Sequence, residues 1–201
     1  MQRLALYESL LNRWQKSINL VAPDSLPGTW HRHFADSAQL AALAPDARTW
    51  LDLGSGAGFP GMVVAILLAN RGARVHLCES NAKKCAFLAE VARKTGAPVE
   101  IHQTRIERLV RESTVAATEV VTARALAPLG ELLEMASPLL ENGACGLFLK
   151  GKRAEDEIAA ARRGWTFRHR CHGSRTDPAG RIVEITGLKR DGSDDFGSAD
   201  D

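Results

Sequence analysis

Trp50-Leu51-Asp52-Leu53-Gly54-Ser55-Gly56-Ala57-Gly58-Phe59-Pro60-Gly61 is a short apolar strand that runs into four glycines and out into the apolar run Met62-Val63-Val64-Ala65-Ile66-Leu67-Leu68. Gly54, Gly56 and Gly58 permit a tight turn and a close backbone approach to a ligand, and the run that follows reads as a helix packed on the sheet. Pro60 suits the first turn of that helix. A strand, a glycine loop and a helix in this order make a cofactor loop. The spacing Gly56-x-Gly58-x-x-Gly61, with acidic Glu79 closing the next apolar stretch Val75-His76-Leu77-Cys78, also satisfies the dinucleotide fingerprint.

Asp52 tilts this ambiguity. Its carboxylate, two residues before the first glycine, is placed to reach a cationic amino group such as that of S-adenosylmethionine, whereas a pyrophosphate there would be repelled. Glu79 serves ribose hydroxyls in either reading. An NAD-linked oxidoreductase, a silent binding protein on the same scaffold and a purely structural glycine turn remain open on these residues.

Outward from the loop, the chain alternates. Leu4, Tyr7, Leu11, Trp14 and Ile18 lie three and four apart and put one apolar stripe on a helix over 2–18. Pro23, Pro27 and Gly28 break the chain, and a helix is expected over 31–44 until Pro45 stops it. Strands are expected over 49–53, 74–78, 99–102, 120–123 and 146–149, and helices to about Asn70 and over 82–94, 129–140 and 154–163. Two late strands, near Phe167 and over 182–188, flank Asp177-Pro178-Ala179-Gly180, which is hairpin chemistry. The series predicts an α/β fold with a doubly wound, mostly parallel sheet. It forms a single domain over 1–190, with an N-terminal helical cap over 1–46, a core over 47–190 and an acidic, disordered tail over 191–201.

The 201 residues are 45% hydrophobic, enough for a real core. No apolar run reaches membrane-spanning length and no secretory leader is visible, so a cytoplasmic protein without a membrane partner is expected. Cys78, Cys85, Cys145 and Cys171 show neither zinc-ligand nor disulfide spacing, so no metal is expected. The net charge of +2 hides a split: five aspartates fall in 191–201, while eight basic residues lie between Lys150 and Arg175. That basic run reads as a phosphate-facing surface or as a solvated helix face.

Ligands of such sheets lie beyond the carboxyl ends of the strands. Thr104-Arg105-Ile106-Glu107 offers an amide and a carboxylate for an adenine edge, or a capping box with Thr104 as cap and Glu107 three residues on. Arg124, among small residues in Thr122-Ala123-Arg124-Ala125, points to a ligand or RNA contact, or to a surface ion pair. The Asn/Asp-Pro-Pro-aromatic motif typical of methylation at exocyclic amines is missing at that place. A ring nitrogen such as guanine N7 needs no deprotonation, so Arg124 would position rather than act as a base, and no catalytic residue is assigned. Lys150 ends its strand as a phosphate contact or as a snorkelling lysine. Trp30 to Ser37 holds His, Asp and Ser without a nucleophile elbow, so hydrolysis is not expected.

Ile18-Asn19-Leu20, Arg32-His33 with Asp36-Ser37, the loop from Asp52 to Gly61, Arg124-Ala125 and Leu149-Lys150-Gly151 together resemble the bacterial ribosomal RNA small-subunit methyltransferase G family, also called glucose-inhibited division protein B. The resemblance runs from about residue 4 to 190. It implies a Rossmann-like class I S-adenosylmethionine-dependent methyltransferase that modifies N7 of a guanine in the 530-loop region of 16S ribosomal RNA, with that RNA or the small ribosomal subunit as partner. It further implies cofactor contacts at Gly54, Gly56, Phe59, Ile106, Glu107 and Arg124, with Glu79 on the ribose, and RNA contacts at Arg32, His33 and Lys150.

Overall fold

The computed structural model describes residues 1–191, so the acidic tail beyond Asp191 lies outside the described residues. Strands Thr49–Leu53 (β1), Arg74–Cys78 (β2), Val99–His102 (β3), Val120–Arg124 (β4), Cys145–Lys150 (β5), Trp165–Gly173 (β6) and Arg181–Arg190 (β7) form one sheet. Its order is β3-β2-β1-β4-β5-β7-β6. The first five strands run parallel, and β7 enters antiparallel between β5 and β6. The order reverses between β1 and β4, so their carboxyl ends flank the crevice in which open α/β sheets take ligands.

Helices Gln2–Gln15 (α1), Asp36–Leu43 (α2), Gly61–Leu68 (α3), Ala82–Thr95 (α4), Ile106–Leu109 (α5), Leu129–Leu140 (α6) and Ala154–Ala161 (α7) cover the two faces. α1 to α4 share one apolar cluster with Trp50, Val75 and Leu77, whereas α5 to α7 share another with Leu51, Leu53 and Phe148. The N-terminal helices are therefore part of one core layer. α4 starts on Asn81, whose side chain accepts from the amides of Lys83 and Lys84 at 3.0 and 3.1 Å, a cap worth about 1 kcal/mol.

Several elements differ from expectation at their ends, and three differences have a local reason. α1 stops at Gln15 because that side chain turns the chain, accepting from the Leu20 and Val21 amides and donating to the Val21 carbonyl at 2.9 Å. Over 31–44 the helix is not continuous: a wide π-helical turn, Trp30–Ala35, precedes α2 and leaves the Arg32 carbonyl accepting from Arg124 at 3.1 Å. The capping box does not form, since α5 begins after Arg105 with no side-chain cap and the Thr104 amide donates to the His102 carbonyl.

Strands buried on both faces are nearly all apolar, so their polar members carry information. Asp52, Thr122 and His76 are each no more than 3% exposed. Asp52 and Thr122 are register partners on β1 and β4, while His76 lies opposite Glu100 on β3.

Candidate active site

A cleft of about 1010 Å³ opens at the carboxyl ends of β1, β4 and β5, between the glycine loop, the segment 20–36 and the turn 174–181. The loop glycines do different work. Gly58 sits at φ 94°, and a Cβ there would lie 2.5 Å from the Tyr7 hydroxyl and 2.9 Å from Met62 Cβ. Gly56, at φ 56°, would meet nothing nearer than the Gly54 carbonyl at 3.8 Å, so it faces open space. Gly58 thus seats the loop on α1, where Tyr7 donates to the Ala57 carbonyl, while Gly56 leaves the room a ligand needs.

Asp52 does not reach a ligand. It is 1% exposed, one carboxylate oxygen accepts from Thr122 Oγ1 at 2.8 Å, and the other accepts from the Gly61 amide at 3.2 Å. Burial pushes its carboxyl up to about 6 from an ordinary 3.8, against the opposing effect of these hydrogen bonds. Its role is to shape the loop from below. Glu79, by contrast, holds the loop from the side: one oxygen accepts from the Gly56 amide at 2.9 Å and the other from the Asn81 amide at 2.7 Å. Each oxygen retains a lone pair for a hydroxyl donor.

Arg124 is the hub of the cleft. It ends β4 on the same face as Asp52 and Thr122, donates to the Arg32 carbonyl and to His33 Nδ1 at 3.0 Å, and lies 3.6 Å from the Asp36 carboxylate. Its guanidinium also covers the Phe59 ring at 5.0 Å. Phe59 is 5% exposed, stacked with Tyr7 at 5.3 Å and with His33 at 4.9 Å. The residue after the hub, Ala125, is forced to φ 51° in the left-handed region, a local strain of about 1–2 kcal/mol.

Because arginine only donates, His33 Nδ1 must accept, so Nε2 carries the proton and donates to Ser25 Oγ at 2.8 Å; Ser25 donates in turn to the Ala22 carbonyl at 2.6 Å. Burial and the charges of Arg124 and Arg32 hold the imidazole down to about 4. The unfolded chain therefore binds this proton more readily than the folded one. Folded stability carried by His33 is full above about 6.5 and is lost as pH falls towards about 4. Buried Asp52 slopes the opposite way between about 4 and about 6, so the test is a difference. Denaturant titrations of wild type and His33→Gln should converge by up to about 3 kcal/mol across that window; a pH-independent difference would remove the linkage.

Lys150 reaches the edge of the cleft lining, but its ammonium is already engaged. Side chains alternate along β5, so Lys150 shares the face of Phe148, opposite Arg124. It is 8% exposed, donates to the Ala127 carbonyl at 2.6 Å and pairs with Glu157 at 2.7 Å, whose carboxylate also caps α6 through the Leu129 amide. Lys150→Met should cost about 3 kcal/mol in chemical denaturation, because it strands a mostly buried carboxylate. Adding Glu157→Leu should recover most of that loss, and no recovery would refute the pairing.

His33, with both ring nitrogens engaged and 8% exposure, is likewise not available for RNA, whereas Arg32 is exposed at the rim. Glu79, Ile106 and Glu107 all lie outside the cleft lining: Glu79 is 8% exposed beside the loop, Ile106 is half-buried and Glu107 exposed at the start of α5, near the end of β3. Within the basic run, the Lys150 ammonium is taken up by Glu157, and Arg162 covers Phe167 at 4.9 Å and bonds His169. Sequence reasoning missed Ser25, Thr122, Glu157 and Thr176 as parts of this machinery. Thr176 Oγ1 and Ser174 Oγ both donate to Asp36, tying the β6–β7 turn to α2. Only Thr122 left a partial signal, as a polar residue inside the apolar run Val120 to Ala123; its pairing with Asp52 appears only in the sheet register.

A parallel sheet with one reversed strand and a glycine loop at the end of β1, facing a cleft at the switch point, defines a class I methyltransferase. Cofactor-bound Rv0187 from MTB shares the fold at TM-score 0.63 and 16% identity, over 93% of this chain and 90% of that one. A methyltransferase from Geobacter sulfurreducens does so at TM-score 0.61 and 13% identity, over 92% and 90%. The family model for rRNA small subunit methyltransferase G matches residues 1–176. The ribosomal RNA small subunit methyltransferase G of Parvibaculum lavamentivorans is 51% identical over 190 residues, 94% of this chain and 83% of that protein. The chain belongs to the rRNA small subunit methyltransferase G family, and the oxidoreductase reading of the glycine spacing falls.

Proposed function

We propose that this chain transfers the methyl group of S-adenosylmethionine to N7 of a guanine in the 530-loop region of 16S ribosomal RNA, free or within the small subunit, in the cytoplasm. The sulfonium supplies an activated methyl, and the protein supplies position. Gly56 admits the donor against the loop backbone, with Gly54, whose missing Cβ makes room for Leu126, beside it; Glu79 accepts from its ribose through the remaining lone pairs, and Ile106 with Glu107 meets the adenine at the end of β3. Phe59 and Arg124 close the reacting end as a fixed wall, and Arg32 at the rim meets RNA phosphate. Among the described residues, no helix is long and apolar enough to cross a membrane.

The observation that carries the atom choice is the state of His33. The base stacked on Phe59 has Nδ1 occupied by an arginine donor and Nε2 occupied by Ser25, so it takes no proton from substrate. An acceptor that already presents an in-plane lone pair suits such a cleft, since holding donor and acceptor in line supplies roughly 7–11 kcal/mol of the barrier. The test is transfer of labelled methyl to small subunits or 16S RNA lacking the modification, followed by cleavage specific for N7-methylguanosine. One labelled guanine near the 530 loop is expected. Label elsewhere would overturn the target, and S-adenosylhomocysteine binding without transfer would favour a silent RNA-binding relative.

A further inference from the structure

The parallel pairing of β2 with β3 sets His76 beside Glu100, and Cys78 beside His102, all on the face of the sheet opposite the glycine-loop core. Three of these groups converge. His76 Nδ1 lies 3.0 Å from His102 Nε2, and Glu100 places one oxygen 3.7 Å from His76 Nδ1 and the other 3.8 Å from His102 Nε2. One ligand atom from each residue falls within 4.8 Å of the other two, in the one such His, Cys and carboxylate grouping among the described residues.

We propose that His76, Glu100 and His102 form a binding site for a divalent transition-metal ion of the zinc class. The separations are the reason. Ligands about 2.0–2.1 Å from a tetrahedral zinc lie about 3.3 Å from one another; the two ring nitrogens stand 3.0 Å apart, and the Glu100 carboxylate turns one oxygen to each of them, at 3.7 and 3.8 Å, with one ligand atom of each residue within 4.8 Å of the other two. Two imidazoles and one carboxylate are the donor set of zinc, cobalt and nickel sites rather than of magnesium or calcium sites, which are all-oxygen.

The two facing nitrogens share one proton in a hydrogen bond. Coordination needs both bare, so the ring that donates takes its other tautomer, with no net proton release. Glu100 is half exposed and offers an entry path, while His76 is almost fully buried and would anchor the ion to the sheet. The ion would cross-link edge strand β3 to β2. It would also stiffen the segment that presents Glu79, whose amide donates to the His102 carbonyl at 3.1 Å.

The full chain, stripped with a chelator, should take up one Zn²⁺ per chain by elemental analysis after gel filtration. With Co²⁺ it should show visible d–d bands and no thiolate charge-transfer band. His102→Gln, at the partly exposed position, should weaken Co²⁺ binding at least about tenfold while retaining the wild-type circular dichroism spectrum. His172→Gln, which touches Glu184 across the β6–β7 pair, should leave the affinity unchanged. Failure of wild type to retain one equivalent would overturn the site, as would a thiolate band or equal affinity in His102→Gln and Glu100→Gln.

Discussion

Arg124→Ala is expected to lower methyl transfer at least about tenfold and to destabilise the chain by about 3 kcal/mol, the usual cost of removing one member of a largely buried charged cluster. The guanidinium is 18% exposed and serves four partners at once: the Arg32 carbonyl, His33 Nδ1, the Asp36 carboxylate and the Phe59 face. Its loss leaves a carbonyl and an imidazole nitrogen without a donor and a carboxylate without its counter-charge. The wall proposed for the reacting end of the donor should then loosen. Arg124→Lys should not restore transfer, because a single ammonium lacks the planar fork that reaches a carbonyl and a ring nitrogen together. Calorimetry with S-adenosylhomocysteine and single-turnover transfer measure the two effects separately. Unchanged affinity and unchanged transfer in Arg124→Ala would refute the positioning role.

Gly58→Ala should cost still more in stability, about 4 kcal/mol, from left-handed backbone strain added to overpacking. The added methyl would press on the Tyr7 hydroxyl and on Met62 at 2.5 and 2.9 Å, and Leu88 stands at 3.0 Å, so neither α1, α3 nor α4 leaves room. Gly56→Ala meets only a carbonyl at 3.8 Å, and its stability cost should be the backbone strain alone, about 1 kcal/mol. Its effect should appear as lost donor affinity, since the methyl occupies the space the cofactor needs. Thermal denaturation and S-adenosylhomocysteine titration of the two variants should therefore rank them in opposite orders. The same order in both measurements would show that the two glycines do one job.

The elements of the fold were legible because their signals are local. An apolar strand, a glycine loop and an apolar helix stand next to one another from Trp50 to Leu68, and Asp177-Pro178-Ala179-Gly180 makes its turn within itself, with Asp177 accepting from the Ala179 amide at 2.9 Å. Arg124 was legible for a similar reason, as a charge among small residues at a strand end. What failed to show depends on partners far along the chain. Asp52 reads as a ligand group until Thr122, 70 residues on, takes its oxygen. Lys150 reads as a free rim cation until strand alternation turns its ammonium to Glu157 and the Ala127 carbonyl. The histidine and carboxylate grouping of β2 and β3 has no sequence spacing to find, because parallel pairing creates it.

Asp36 joins α2 to a turn 138 and 140 residues later, through Ser174 and Thr176, while the same carboxylate faces Arg124. The order of synthesis gives this contact a meaning. A chain still leaving the ribosome has made the glycine loop and all five parallel strands before the residues that fasten Asp36 exist. A contact at such separation carries the entropy cost of closing the long loop between its ends. A nascent chain interrupted before Ser174 carries every residue proposed to touch the methyl donor yet lacks both hydroxyls that fasten Asp36.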